Sequence, residues 1–237
     1  MPNSFTILLM FYPYYFLKGS LQGSVRVIFY KPTYMKTILI LFVSFFISFN
    51  NCLSQTVPDE RDKREYKEII SLYPKSLVSH FPRKIDDKKI GLMALTFPRG
   101  KYLSYIHLAI SYEDSDIEKL KKKVTLEAKE VYHIKDSCLM VIPYNYDTFE
   151  IVTLDSIQNC ESIDVLPIPN FRLWESKFPS DFYDNAVLYV LNAEKGRFLK
   201  KDHLSRSGIG LPERWLHGYT KGLTFYKNYV VYWLEVW

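Results

Sequence analysis

The chain lacks the spacings on which most readable chemistries depend. It holds three cysteines in 237 residues, with no Cys-x-x-Cys pair and no His-x-x-x-His spacing to build a structural zinc site. No Gly-x-x-x-x-Gly-Lys-Ser/Thr, Gly-x-Gly-x-x-Gly or His-Glu-x-x-His stretch occurs, so P-loop, dinucleotide and zincin chemistries have no support. A Gly-x-Ser-x-Gly nucleophile elbow is also missing. No internal repeat or low-complexity tract is present. No apolar run reaches the ~20 residues that a bilayer-spanning helix needs.

An excess of one charge is missing too, once the first part of the chain is set apart. The formal net charge is +5, but residues 1–54 contain Lys18, Arg26, Lys31 and Lys36 and no acid. The remainder carries 27 basic residues against 26 acidic. A near-neutral domain has no electrostatic footprint for nucleic acid, so no nucleic-acid partner is expected.

What is present begins at Met35. Lys36 supplies a positive charge, Ile38 to Phe49 form an apolar stretch, and Asn50 to Gln55 are polar and small. This is the order of a secretory signal peptide, and it resembles the signal segments of exported bacterial proteins. Residues 35–54 are therefore read as the signal, and residues 1–34 as an upstream extension of the reading frame. Cleavage after Ser54 leaves Gln55 first. Cleavage before Cys52 would lipidate that cysteine and tether the domain to a membrane, which is the only membrane contact expected. The protein is thus expected to be periplasmic, secreted or a membrane-anchored lipoprotein.

Residues 55–237 suffice for one core, and a single globular domain is expected. Two cysteines remain in it, Cys138 and Cys160. In an oxidising compartment they would be free to pair, worth roughly 3 kcal/mol by loop-closure entropy; the alternative is two buried thiols.

Pro58 to Tyr73 reads as a helix, with acids in its first turn and Tyr66, Ile69, Ile70 and Tyr73 on one face. Ser115-Asp116-Ile117-Glu118 reads as a capping box that opens a second helix through about Lys129. Its apolar stripe is Ile117, Leu120, Val124 and Ala128, which makes Lys121-Lys122-Lys123 a solvated face. Ile90–Phe97 and Lys101–Ser111 read as strands, the second with one buried face. Further strands are expected at 131–135, 138–142, 149–154, 163–168 and 186–191, a turn at Ala193–Gly196, and loop from Lys200 to Thr220. Gly222–Tyr226 and Tyr229–Trp237 then form a hairpin. The order predicts an α+β fold: a mostly antiparallel β-sheet with about two helices packed on one face and a C-terminal β-hairpin. Glu235 shares the alternating face of Trp233 and Trp237, which argues against a lipid-facing barrel strand.

The densest polar cluster is Asp202-His203-Leu204-Ser205-Arg206-Ser207-Gly208, followed by Glu213, Arg214 and His217. Asp202, His203, Ser205 and His217 supply the acid, base and hydroxyl of nucleophilic hydrolysis. Arg214 and Trp215 are the candidate binding residues, since Trp215 is expected on a loop where its ring could stack a ligand. His107 and His133, on expected strands, read as structural histidines. No metal and no cofactor is implied. The function that fits best is an exported, non-catalytic binding or accessory domain, its partner a protein, peptide or glycan at the cell envelope. The alternative is a hydrolase using the 202–217 loop.

Processing is directly testable. Mass spectrometry of the exported protein should find a chain beginning at Gln55 or at a lipidated Cys52. Recovery of residues 1–34 in the mature protein would overturn both the start-site and the cleavage readings.

Overall fold

A computed structural model describes residues 56–96, 102–152, 164–174 and 181–237. The chain divides into two units, Met1–Phe49 and Asn50–Trp237, and every described residue belongs to the second. The expected extension at 1–34, the signal at 35–54 with Cys52, and Cys160 all lie outside the described residues.

Helix α1 (Glu60–Leu72) begins where its sequence can satisfy the free N–H groups of a first turn. The Asp59 carboxylate accepts from the backbone of Arg61 at 2.7 Å and Asp62 at 2.9 Å. Asp62 in turn accepts from the backbone N–H of Asp59 at 3.2 Å, which closes a capping box. Pro74 ends the helix by holding Tyr73 extended. A single turn, α2 (Lys75–Val78), follows and buries Leu77 and Val78.

Helix α3 (Asp114–Glu127) corrects the expected cap. Glu113, not Ser115, is its N-cap, and no side chain bonds there. The carbonyl of Glu113 already receives the N–H groups of Asp116 and Ile117, so Ser115 sits inside the first turn. Asp114 and Asp116 then occupy the first turn, where the helix dipole favours acids. Ile117 and Val124 are buried, while Lys122 and Lys123 are exposed.

Ten strands are described: β1 (Lys89–Leu95), β2 (Ser104–Ser111), β3 (Glu130–His133), β4 (Met140–Val141), β5 (Tyr144–Asn145), β6 (Glu150–Ile151), β7 (Pro167–Ile168), β8 (Val187–Lys195), β9 (Gly218–Tyr226) and β10 (Tyr229–Val236). Six form one antiparallel sheet in the order β1-β2-β10-β9-β8-β3. The fold is α+β, with the C-terminal hairpin β9–β10 near the sheet's centre. Lys227 turns it at a φ of 50°.

Alternation sorts the sheet's side chains onto two faces. Ile106, Leu108 and Ile110 of β2 and Val230, Tyr232, Leu234 and Val236 of β10 pack with Tyr66, Leu77, Ile117 and Val124 of the helices. Tyr105, His107 and Ala109 face the other way with Tyr229, Val231 and Trp233, and they are buried too. The expectation of one buried face on β2 is therefore corrected. Its second face is covered by β4 to β7, the 3-10 turn Phe171–Trp174 and the one-turn helix α4 (Phe182–Asn185), whose Met140, Ile142, Ile168 and Phe182 are fully or almost fully buried.

That covering layer explains the strands that fall short of expectation. The stretches around 138–142, 149–152 and 164–168 contribute only two residues each to local ladders, β4 beside β7 and β5 beside β6. They lie over the sheet and do not extend it. Conversely, β8 runs through Ala193–Lys195, where a turn was expected, and only Gly196, at a φ of 134°, breaks it. Cys138 is disulfide-bonded. Cys160, its expected partner, lies outside the described residues.

Gly222 marks where the sheet is tightest. A Cβ built there would sit 2.2 Å from the Tyr189 carbonyl oxygen and 2.5 Å from Cζ2 of Trp233. Gly222→Ala should destabilise by at least the ~1–3 kcal/mol typical of overpacking. Leu234→Ala, on the opposite face, should cost about 2–5 kcal/mol through a cavity. Equilibrium urea unfolding reads both, and a near-neutral result for either would contradict the face assignment.

Candidate functional site

The 202–217 segment folds as a chain of short turns. Asp202 is exposed and His203 half-buried on the 3-10 turn Lys201–His203. Ser205 is buried, and its hydroxyl donates to the Gly208 carbonyl at 2.5 Å. Gly208, at a φ of 75°, lets the chain close that turn. The residue that would serve as nucleophile therefore commits its proton to a backbone carbonyl and not to an imidazole. His217 is half-buried, and its pKa is lowered by burial first and by the nearby Arg197 charge second.

Trp215 does not stand out from a loop as expected. It lies on the 3-10 turn Glu213–Trp215 beside half-buried Arg214, and only 3% of it is exposed. Its ring packs 6.1 Å from that of Trp237, and its carbonyl accepts the Trp237 Nε1–H at 2.8 Å. Gly218 makes room for this: a Cβ there would sit 3.1 Å from both indoles. The aromatic C-terminus draws the loop inward, an effect that loop composition does not reveal.

The densest constellation of ionisable groups lies elsewhere. His107 on β2 and Glu235 on β10 are both 0% exposed, and His107 Nε2 lies 2.9 Å from Glu235 Oε1. The sheet register sets this up: Trp233 pairs with His107 and Glu235 with Tyr105, so the two polar residues are diagonal neighbours on one face. From the covering layer, the Tyr146 hydroxyl donates to the same Oε1 at 2.6 Å and accepts from the Asn170 backbone N–H at 3.1 Å. Tyr105 stacks on His107 with ring centres 4.9 Å apart. Burial is the larger influence on both titrating rings. It holds the His107 pKa down against the pull of Glu235, and it pushes Tyr146 far up, reinforced by the Glu235 charge. Tyr146 thus donates to Glu235 Oε1, and His107 Nε2 shares the same oxygen. Glu235 Oε2 and both side-chain polar atoms of Asn170 are buried with no hydrogen-bond partner among the described residues. At this depth the cluster fastens the covering layer to the sheet.

The readable signal for this cluster was Glu235, a lone charge in an otherwise uncharged terminal strand. Its partners were not readable. Tyr146 and Asn170 are distant in sequence and become neighbours only when the second layer folds over the sheet.

An open concavity lies on the same face toward the β3 edge of the sheet, where β8 outruns β3. Its volume is about 620 Å³; Leu166, Ala193 and Trp215 line it, with the exposed Lys129, Glu130, Glu194 and Lys195 around them. The Lys195 ammonium lies 5.4 Å from the centre of the Trp215 ring. Of the sequence candidates, the structure brings Trp215 to this surface, and Ser205 is occupied elsewhere. Among the described residues no three His, Cys, Asp or Glu side chains are placed to hold a metal ion. Also among them, no helix is long and apolar enough to cross a membrane.

Comparison with protein-family models, with curated proteins and with solved structures finds no match to this chain.

The buried cluster has a testable energetic signature. Tyr146→Phe removes the hydroxyl donor to Glu235 Oε1 while keeping the ring. It should cost about 1.5–3 kcal/mol, the range for hydrogen bonds to charged groups. Chemical denaturation measures it, and a change below ~0.5 kcal/mol would mean that Glu235 does not depend on that hydroxyl.

Proposed function

We propose that this is an exported, non-catalytic binding domain of the cell envelope, and that the concavity over Trp215 receives an extended peptide segment of a partner. The observation that carries the reading is an unpaired length of sheet edge. β3 pairs with β8 only from Val187 to Val190, and Lys129 adds one more bond to the Val190 carbonyl. Among the described residues, no strand pairs with Asn192–Lys195 on that side. A peptide lying there would continue the line of β3 and complete backbone hydrogen bonding, as in other cases of strand addition.

The surroundings support the same reading. The Trp215 edge and Leu166 offer apolar contact, and both signs of charge flank them, which suits a peptide better than a strongly anionic or cationic ligand. Asn192 is held by Lys129 and by the Tyr219 hydroxyl at 2.6 Å, so the edge is braced before any ligand arrives. The leader from Met35 to Ser54 supports export. Hydrolysis in the 202–217 loop has no such support, because Ser205 is buried and engaged with Gly208.

A library of random linear nonapeptides panned on the protein should yield binders that shift the backbone amide resonances of Ala193, Glu194 and Lys195. The bound peptide should remain intact by mass spectrometry. Shifts confined to another surface, or binding of soluble glycans alone, would overturn the peptide reading. Cleavage of the peptide would overturn the non-catalytic one.

A further inference from the structure

A second surface, independent of the peptide edge, concentrates positive charge in a domain whose overall charge is balanced. A cleft of about 300 Å³ lies between α1 and the segment that follows α2. Lys63, Arg64 and Lys67 reach it from one face of α1, at the spacing that makes helical residues neighbours. Arg83 and Lys84 line it from the other side. Tyr66 and Ile85 form its buried base, each 2% exposed.

The cleft is braced and not a chance meeting of mobile side chains. The Tyr66 hydroxyl donates to the Pro82 carbonyl at 2.5 Å, which fastens the Arg83–Lys84 segment to the helix. Two carboxylates share the lining, Glu60 and Asp86, and both approach Lys63, at 2.7 Å and 4.0 Å. Arg64, Lys67, Arg83 and Lys84 are exposed and form no ion pair among the described residues. Five cations line the concavity against two carboxylates, and with Asp59 acting on Arg64 and Asp87 on Lys63 the surroundings still carry a net positive charge.

We propose that this cleft binds a phosphate group. Two arginines present planar forks that match phosphate oxygens bidentately, and the lysines add point charges. A free phosphate monoester, with a charge near −2, answers the surplus better than a single carboxylate does; a lipid phosphodiester carries one charge and matches the cleft through its oxygens and the lysines around them. The phosphate has two possible sources, a free phosphorylated ligand or the headgroup of an anionic lipid. Thr56, whose backbone pairs with Ile90, is four residues beyond Cys52 in sequence, and four extended residues span at most ~14 Å. A chain lipidated at Cys52 would therefore keep α1 close to a headgroup layer.

The test uses two probes, inorganic pyrophosphate by calorimetry and phosphatidylcholine vesicles containing one-third phosphatidylglycerol by co-sedimentation. Saturable binding of pyrophosphate, or vesicle binding that pyrophosphate displaces, is expected; the first identifies free phosphate as sufficient and the second a lipid headgroup. Arg64→Ala with Arg83→Ala should weaken the interaction at least about tenfold, and the Arg→Lys pair should weaken it less, since it keeps charge and loses the forks. Lys122→Ala with Lys123→Ala on α3 removes the same charge elsewhere and should leave binding unchanged. Thermal melting of each variant confirms the fold. Binding of neither probe, or equal loss in the α1 and α3 variants, would overturn the proposal.

Discussion

Glu235 is a carboxylate at 0% exposure on a strand whose eight residues are all buried. A polar group left without partners at that depth costs about 1–3 kcal/mol, more for a charged one, so its partners are a condition of the fold. They come from two directions. His107 approaches along the sheet from β2, and Tyr146 descends from the covering layer. The layer therefore cannot slide over the sheet without stripping a donor from the carboxylate. The same layer is fastened again where the Thr220 hydroxyl donates to the Pro167 carbonyl at 2.6 Å, and where the Leu166 N–H donates to the Tyr132 hydroxyl at 3.1 Å. Polar contacts of this kind are directional, and they fix register where apolar packing alone would tolerate displacement.

The two faces of the sheet solve different problems. The helical face is closed by side chains of Leu, Ile and Val, with tyrosines whose hydroxyls find partners at the edges: Tyr73 donates to the Thr96 carbonyl at 2.7 Å, and Tyr112 and Tyr232 share a 2.7 Å hydrogen bond. The covering layer has little regular structure to supply a continuous apolar face. Large rings fill it instead: Trp233 over Gly222, Trp237 against Trp215, and Phe182 against Tyr226 with ring centres 5.2 Å apart. Glycines at 218 and 222 on β9 are the counterpart of those rings, because a Cβ at either position would occupy space an indole already fills.

The parts legible in sequence were those governed by local rules. Period-2 alternation identified β2 and β10, and helical periodicity located α1 and α3. The errors occurred where tertiary contact decided the outcome. Ser115 matched a cap pattern, but the backbone bonds of Glu113 began the helix two residues earlier. Trp215 looked exposed because its neighbours are polar, yet its packing partner, Trp237, is 22 residues away. The cations of the α1 cleft were overlooked because they alternate with acids in sequence, and only the helical turn separates Lys63, Arg64 and Lys67 from Asp62 and Glu65.

Three of the reactive side chains among the described residues are engaged in the construction of the fold. Ser205 closes a turn, and His107 and Glu235 secure a layer from which solvent is excluded. General acid–base work needs a group within reach of a substrate proton, a condition that no side chain at zero exposure meets without opening the fold. What the molecule leaves accessible is of another kind: backbone at the end of β8, the edge of one buried indole, and charged rims. Such surfaces are suited to recognising shape, backbone and charge. The same burial that makes the polar cluster unsuitable for chemistry makes the two accessible surfaces stable platforms, because each is built on elements anchored in the core. Tyr66 joins the α1 cleft to the helical face, and Trp215 joins the β8 concavity to the aromatic one.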